Sequence, residues 1–213
     1  MKRMLTFLMA LCMFALPVSG GISAGAEAEC CPAAGNTVTH TVVSGDTMWK
    51  LAVRYQVGLS EIIAANPHIP DPDLIYPGQT LYIPLTDTAV TDYEAEVIRL
   101  VNEIRAKNGL KTLTTNWELS RVARYKSQDM KDKGYFDHTS TTYGTPFQMI
   151  RNFGLSYRTA GENIARGYAT PEAVMNGWMN SAGHRANILK ASYKQIGVGY
   201  VAQGNYWTQQ FIG

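Results

Sequence analysis

Residues 32–213 contain no cysteine, and this limits what the chain can fold into more than any other feature. No disulfide can staple the patterned part of the sequence. Neither a cysteine-built zinc site nor a thiol nucleophile can exist there. Packing alone must hold whatever folds. The chain's three cysteines all lie near its start: Cys12 in an apolar run, then the vicinal pair Cys30–Cys31. The run, Leu5 to Leu16, follows Lys2 and Arg3 and leads to Pro17 and small residues. Ala24-Gly25-Ala26 and Ala26-Glu27-Ala28 both fit a small-x-small cleavage site. This is the layout of a secretory signal peptide, assigned to residues 1–26. The run is short for a membrane span, and no later stretch approaches the ~18 apolar residues a span needs. The expectation is an exported protein with no membrane span after cleavage.

Composition narrows the function classes. Hydrophobic residues make up 46% and charged residues 17%, and the net charge is +2. That is a globular composition without the basic excess of a nucleic-acid binder, so no nucleic-acid partner is expected. Residues 27–39 read as a flexible linker carrying the cysteine pair. Glu27-Ala28-Glu29 ahead of Cys30 is not a lipid-attachment sequence. Cys30 or Cys31 is left as a candidate for an intermolecular disulfide, against the simpler reading of a flexible tail.

Residues 40–84 are dense in structural signals. His40 to Val43 is β-branched and strand-like. Ser44-Gly45-Asp46-Thr47 is a turn, with Asp46 placed to cap a helix. Met48, Leu51, Ala52 and Tyr55 lie at helical spacing. Ser60 is placed to cap a second helix with Ile62 and Ile63 inward, and Asn66-Pro67 ends it. Thr80 to Ile83 is a second strand, stopped by Pro84. The order is strand, helix, helix, strand. The string VVSGDTMWKLAVRYQVGLSEIIAANPHIPDPDLIYPGQTLYIP resembles a LysM domain from end to end. That resemblance implies binding of peptidoglycan or chitin-like N-acetylglucosamine polymers in a groove between two turns. By position it implicates Gly45, Asp46, Thr47 and Met48 on one side, and Asn66, Pro67 and Ile69 on the other. The same residues also serve as turn and cap residues.

Residues 85–91 are a Thr-rich linker, and 92–213 are long enough for a separate core. Tyr93, Val97, Leu100, Val101 and Ile104 trace an amphipathic helix toward Gly109. Trp117 to Lys133 gives a second helix, ended by Gly134. Thr145-Pro146 and Thr170-Pro171 open two more. Ile196 to Val201 and Tyr206 to Ile212 read as strands joined by a Gly-Asn turn. Helices followed by strands make the class α+β.

Three polar segments stand out: Phe136-Asp137-His138-Thr139-Ser140, Gly161-Glu162-Asn163-Ile164-Ala165, and Trp178 through Gly183-His184-Arg185 to Leu189. Their spacing alone does not show that they meet. With Ile196-Gly197-Val198-Gly199-Tyr200-Val201 and Tyr206 to Phe211, they resemble a bacterial CAP-superfamily domain (cysteine-rich secretory, antigen 5, pathogenesis-related 1; also SCP) over residues 92–213. The resemblance implies a three-layer α-β-α sandwich. It implies a cavity holding His138, Glu162 and His184, with a divalent metal such as zinc in some members. The family's second glutamate falls at Ser181 here, which leaves three residues. Ser181 itself reads as a helix-end or turn residue rather than a nucleophile. Trp178 and Trp207 read as core, Asn163 as satisfying buried backbone, and Arg185 and Asn187 as holding the turn after His184.

Three functions fit. The first is a secreted binding or scaffold protein of a cell wall or spore envelope, without turnover. The second is a metal-assisted hydrolase acting on wall material, in which His138, Glu162 and His184 are the catalytic candidates. The third is a carrier of small hydrophobic ligands. The first is preferred.

Overall fold

The computed structural model describes residues 36–213. The expected signal peptide and the Cys30–Cys31 pair lie outside them. The smaller domain is built on two antiparallel strands, β1 (Thr37–Thr41) and β2 (Thr80–Pro84), in register from Thr37↔Pro84 to Thr41↔Thr80. Helices α1 (Met48–Tyr55) and α2 (Leu59–Ala65) complete it. The core gathers Val42, Met48, Leu51, Ile62, Leu81 and Ile83 with their neighbours.

Four local expectations change. β1 begins at Thr37, inside the stretch read as linker, because pairing along all of β2 requires those residues. Thr47, not Asp46, caps α1: its hydroxyl accepts from Lys50 N–H, while the Asp46 carboxylate turns back to Val43 N–H and His40. The residue capping α2 is Gly58, which offers no side chain, and Ser60 lies within the helix. Ile62 is fully buried, whereas Ile63 is 36% exposed.

The larger domain opens with α3 (Thr88–Lys107), capped by Asp87, so the linker shortens to residues 85–87. Then come β3 (Thr114–Thr115), α4 (Trp117–Lys133), α5 (Pro146–Asn152), β4 (Ala160–Arg166), α6 (Pro171–Asn180), α7 (Ala182–Ile188), β5 (Gln195–Val201) and β6 (Tyr206–Ile212). The strands form one sheet in the order β3-β5-β6-β4, antiparallel except for β3 with β5. Alternation along β6 splits its side chains between two faces. Trp207 and Phe211 join the core shared with α3 and α6. Ile212 packs with Leu119 and Val122 of α4, and Thr208 bonds Ser127 of the same helix. Helices therefore cover both faces, giving the expected three layers.

α4 matches its expected bounds. Asn116 caps it, and Gly134 at φ +66° stops it in the left-handed region. β4 was not read from the sequence. It is the outer strand, and its free edge is blunted in an orderly way. Ala160 carbonyl accepts from Tyr193 OH (3.0 Å), Glu162 carbonyl from Asn187 Nδ2 (3.2 Å) and Ile164 carbonyl from Trp178 Nε1 (3.2 Å). Among the described residues no helix is long and apolar enough to cross a membrane.

Candidate functional site

The loop that carries His138 is fixed from beneath by two charged residues of α4. Asp129 accepts from Tyr135 OH (2.5 Å), Ser140 Oγ (2.6 Å) and Thr142 Oγ1 (2.6 Å), and pairs with Lys133. Burial alone would raise its carboxyl, but these donors outweigh burial and hold it at about 2. Lys126 is completely buried and donates to Asp137 carbonyl (2.6 Å) and Tyr135 OH (3.1 Å). Burial lowers its ammonium despite the nearby carboxylates of Glu162, Asp129 and Asp137.

His138 then meets Glu162. Its Nδ1 lies 2.8 Å from Glu162 Oε1, and Gln210 Nε2 donates to the other carboxylate oxygen at 3.0 Å. Glu162 is buried in β4, while His138 is half-exposed. The bond to Glu162 raises the His138 imidazole above its ordinary 6.5, against a smaller opposing effect of burial. His184, on α7, shifts the other way: burial lowers it first, and the charge of His138 lowers it further. The structure thus brings His138 and Glu162 into direct contact and sets His184 within electrostatic reach. Two histidines pushed apart in this way can hold different protonation states at one pH.

The expected three-ligand metal site does not form in this arrangement. Among the described residues no three His, Cys, Asp or Glu side chains converge on a metal position. Both oxygens of Glu162 are engaged, so it stands behind His138 as an orienting group rather than beside it as a ligand. Two imidazoles remain, short of the ligand count of a zinc centre.

The surrounding residues mostly keep their expected structural roles. Asn163 donates to His184 carbonyl and Gln209 Oε1, and Asn187 donates to Asn163 Oδ1. Arg185 reaches back to Met179 carbonyl at the end of α6 rather than forward. Ser181 both ends α6 and precedes α7. Trp178 and Trp207 are core. The sequence reading missed Lys126, Asp129 and Gln210. The signal for the first two was a charged pair at helical spacing on the buried face of α4.

In the smaller domain the two turns are also pinned from inside. Asp46 bonds Val43 N–H (3.0 Å) and His40 Nε2 (2.8 Å), and pairs with Arg54. The Asn66 side-chain amide donates to the Ile62 and Tyr82 carbonyls and accepts from Tyr82 N–H. Gly45, at φ +88°, Thr47 and Pro67 are exposed, and Asp46 is partly so. Met48, Asn66 and Ile69 are buried, so their side chains do not line an outer groove. A cleft of about 640 Å³ lies where the two domains meet, with Trp49, Val53 and Ile63 on one wall and Trp117, Arg121 and Phe153 on the other.

Comparison with known proteins agrees with both domains. The model of the cysteine-rich secretory protein (CAP) family matches residues 98–211, and the LysM domain model matches residues 40–84. The uncharacterized protein YkwD of Bacillus subtilis (strain 168) is 60% identical over 126 residues, covering 59% of this chain and 49% of the relative. The spore coat assembly protein ExsA of Bacillus cereus is 40% identical over 45 residues, covering 21% of this chain and 7% of the relative. Among solved structures, an extracellular protein containing a SCP domain from Bacillus anthracis str. Ames is 35% identical with a TM-score of 0.56. The match covers 64% of this chain and 47% of that one. The chain therefore spans about half the length of YkwD and of the B. anthracis protein, and a smaller part of ExsA.

Proposed function

The chain belongs to the cysteine-rich secretory protein family, with a LysM domain ahead of the family's own, and from that premise we propose that it is a secreted binding protein of the cell wall or spore envelope. The LysM domain holds N-acetylglucosamine polymers such as peptidoglycan between its two turns. The CAP domain offers the cleft that includes His184, Ile164 and Arg166 as a second, non-hydrolytic ligand site.

One observation carries the first half. The two turns are locked from inside by Asp46 and Asn66, while Gly45, Thr47 and Pro67 stay at the surface. Locked turns present backbone donors and acceptors at fixed positions. Such a surface suits the acetamido and hydroxyl groups of a sugar polymer without ordering cost on the protein side. The contacts then come from backbone and exposed turn residues, not from Met48 or Ile69. The spore coat name of one relative, similar over 45 residues, supports an envelope location.

The test is co-sedimentation of the full chain with purified peptidoglycan. Ser44→Gln with Pro67→Gln sets longer side chains at the mouth of the turns without touching the buried amide and carboxylate. The expected result is pelleting of the parent and at least about a tenfold loss of affinity in the variant. A parent that stays in the supernatant, or a folded variant that pellets equally, would overturn the reading.

A further inference from the structure

The outer edge of β4 has an asymmetry. Thr159 and Gly213 exchange both backbone bonds, so Gly161, Asn163 and Ala165 face β6 through their backbones, while Ala160, Glu162, Ile164 and Arg166 face outward. The outward carbonyls of 160, 162 and 164 are each taken by a side-chain donor: Tyr193, Asn187 and Trp178. The outward N–H groups of Glu162 and Ile164 have no hydrogen-bond partner among the described residues, although both residues are buried. An N–H without a partner is a donor that a ligand acceptor can take.

We propose that the cleft beside this edge recognises the C-terminal carboxylate of a peptide, taken by the outward N–H of Ile164 together with the Arg166 guanidinium. An added β-strand both donates to and accepts from the edge it joins. Here the carbonyls of Glu162 and Ile164, on either side of the Ile164 N–H, are already taken, so a group that meets this N–H must accept. The adjoining cleft fixes the rest of the chemistry. It has a volume of about 350 Å³ and includes Ile164, Arg166 and His184, with Phe136, Tyr168 and Trp178 as aromatic walls. Arg166 supplies a cation for the carboxylate, with its guanidinium already resting on Tyr206 at 4.8 Å. Phe136 and Tyr168 are 48% and 38% exposed and suit an apolar terminal side chain. The nearby negative charge, Glu162, is already taken by His138 and Gln210.

The proposal rests on the reading of this cavity as a ligand site and does not require glycan binding by the smaller domain. The experiment is an amide NMR titration of the full chain with N-acetyl-Ala-Leu as the free acid, beside the same peptide as its C-terminal amide. The acid should move the Ile164 amide proton downfield, with smaller changes at Asn163 and Ala165, which are bonded to β6. The amide should bind at least about tenfold more weakly, and Arg166→Gln should weaken the acid alone. Equal shifts from acid and amide would overturn carboxylate recognition while leaving the cavity a peptide site. No shift from either at millimolar peptide would overturn both.

Discussion

Arg121 of the CAP domain grips Glu61 of the LysM domain with two bonds, Nε to Oε1 at 2.9 Å and NH2 to Oε2 at 3.2 Å. Tyr125 OH donates to the same carboxylate at 2.8 Å, and the guanidinium sits 5.2 Å from the Phe153 ring centre. Burial alone would raise the Glu61 carboxyl, but bonds from Arg121, Ser60 and Tyr125 outweigh it and keep the carboxyl below its ordinary 4.5. The pair joins the two domains.

Arg121→Ala should therefore uncouple the domains. It removes a partly buried two-bond ion pair worth about 1–2 kcal/mol. Calorimetry should show one unfolding transition in the parent and two in the variant, the LysM transition being the lower. Because the folded-state carboxyl is depressed, the coupling is present above 4.5 and disappears as pH falls through the folded value. A variant that still unfolds in a single unshifted transition would show that other contacts join the domains.

Asp129 links the helix to the loop that carries His138. Its carboxyl lies at about 2 against an ordinary 3.8, which corresponds to about 2 kcal/mol of stability at neutral pH. The sign follows from the depressed value: the contribution is full above 3.8 and is lost as pH falls through about 2. Asp129→Asn should lower stability by about 2 kcal/mol at pH 7 and flatten the acid limb of the stability curve. Equilibrium denaturation across pH 2–7 measures both.

Glu162→Gln separates electrostatics from packing at the cavity. Without the carboxylate, His138 should titrate lower than in the parent. His184 should then titrate higher, since it faces less of the His138 charge, but burial keeps it below 6.5. The stabilities move oppositely. The raised His138 stabilises the fold fully below 6.5 and loses this as pH rises through its folded value. The lowered His184 contributes above 6.5 and loses it as pH falls. Histidine ring signals followed by NMR give both shifts. Unchanged His138 titration would mean that the 2.8 Å contact carries no charge coupling.

The metal question has a direct answer by elemental analysis. Two imidazoles with a carboxylate behind one of them do not make a closed zinc shell. Protein dialysed against chelator and then against a low zinc concentration should retain well under one ion per chain. One zinc per chain, lost in His138→Ala with His184→Ala, would show that the loop and α7 close around an ion.

What the sequence made legible was mostly local. The ends of α4 were readable because Asn116 and Gly134 act within one turn of the helix. The start of α6 was readable because Thr170 and Pro171 act on adjacent backbone. β4 was not, because its stability comes from elsewhere in the chain. Its polar residues Glu162 and Asn163 are satisfied by His138, Gln210 and Gln209, and its edge carbonyls by Trp178, Asn187 and Tyr193. The contact between His138 and Glu162 spans 24 positions, and only the family resemblance suggested it. Asp46 was misread for a related reason. A carboxylate next to a helix start is an ordinary cap, and nothing local shows that His40 will claim it.

The repeated glycines of Ile196-Gly197-Val198-Gly199 give the last prediction. Both sit on the face of β5 that meets α4, where the helix backbone presses directly on the strand. A methyl group at Gly197 would lie 2.3 Å from Leu119 C and Ser120 N, and one at Gly199 would lie 2.1 Å from Arg124 N. These neighbours are helix backbone, which cannot rotate away, so α4 would have to lift from the sheet. Gly197→Ala should cost about 3 kcal/mol, at the upper end of overpacking effects, and Gly199→Ala at least as much. Lifting α4 would also displace Lys126 and Asp129, so the His138 loop should lose order before the protein unfolds globally. Gly183→Ala is the control. It lies within α7 with nothing within 4 Å of the added carbon, and alanine favours helix over glycine by up to about 1 kcal/mol. Denaturation midpoints should fall for the two strand variants and hold or rise for the helix variant. Equal effects at all three positions would mean that the close approach of α4 to β5 does not set the cost.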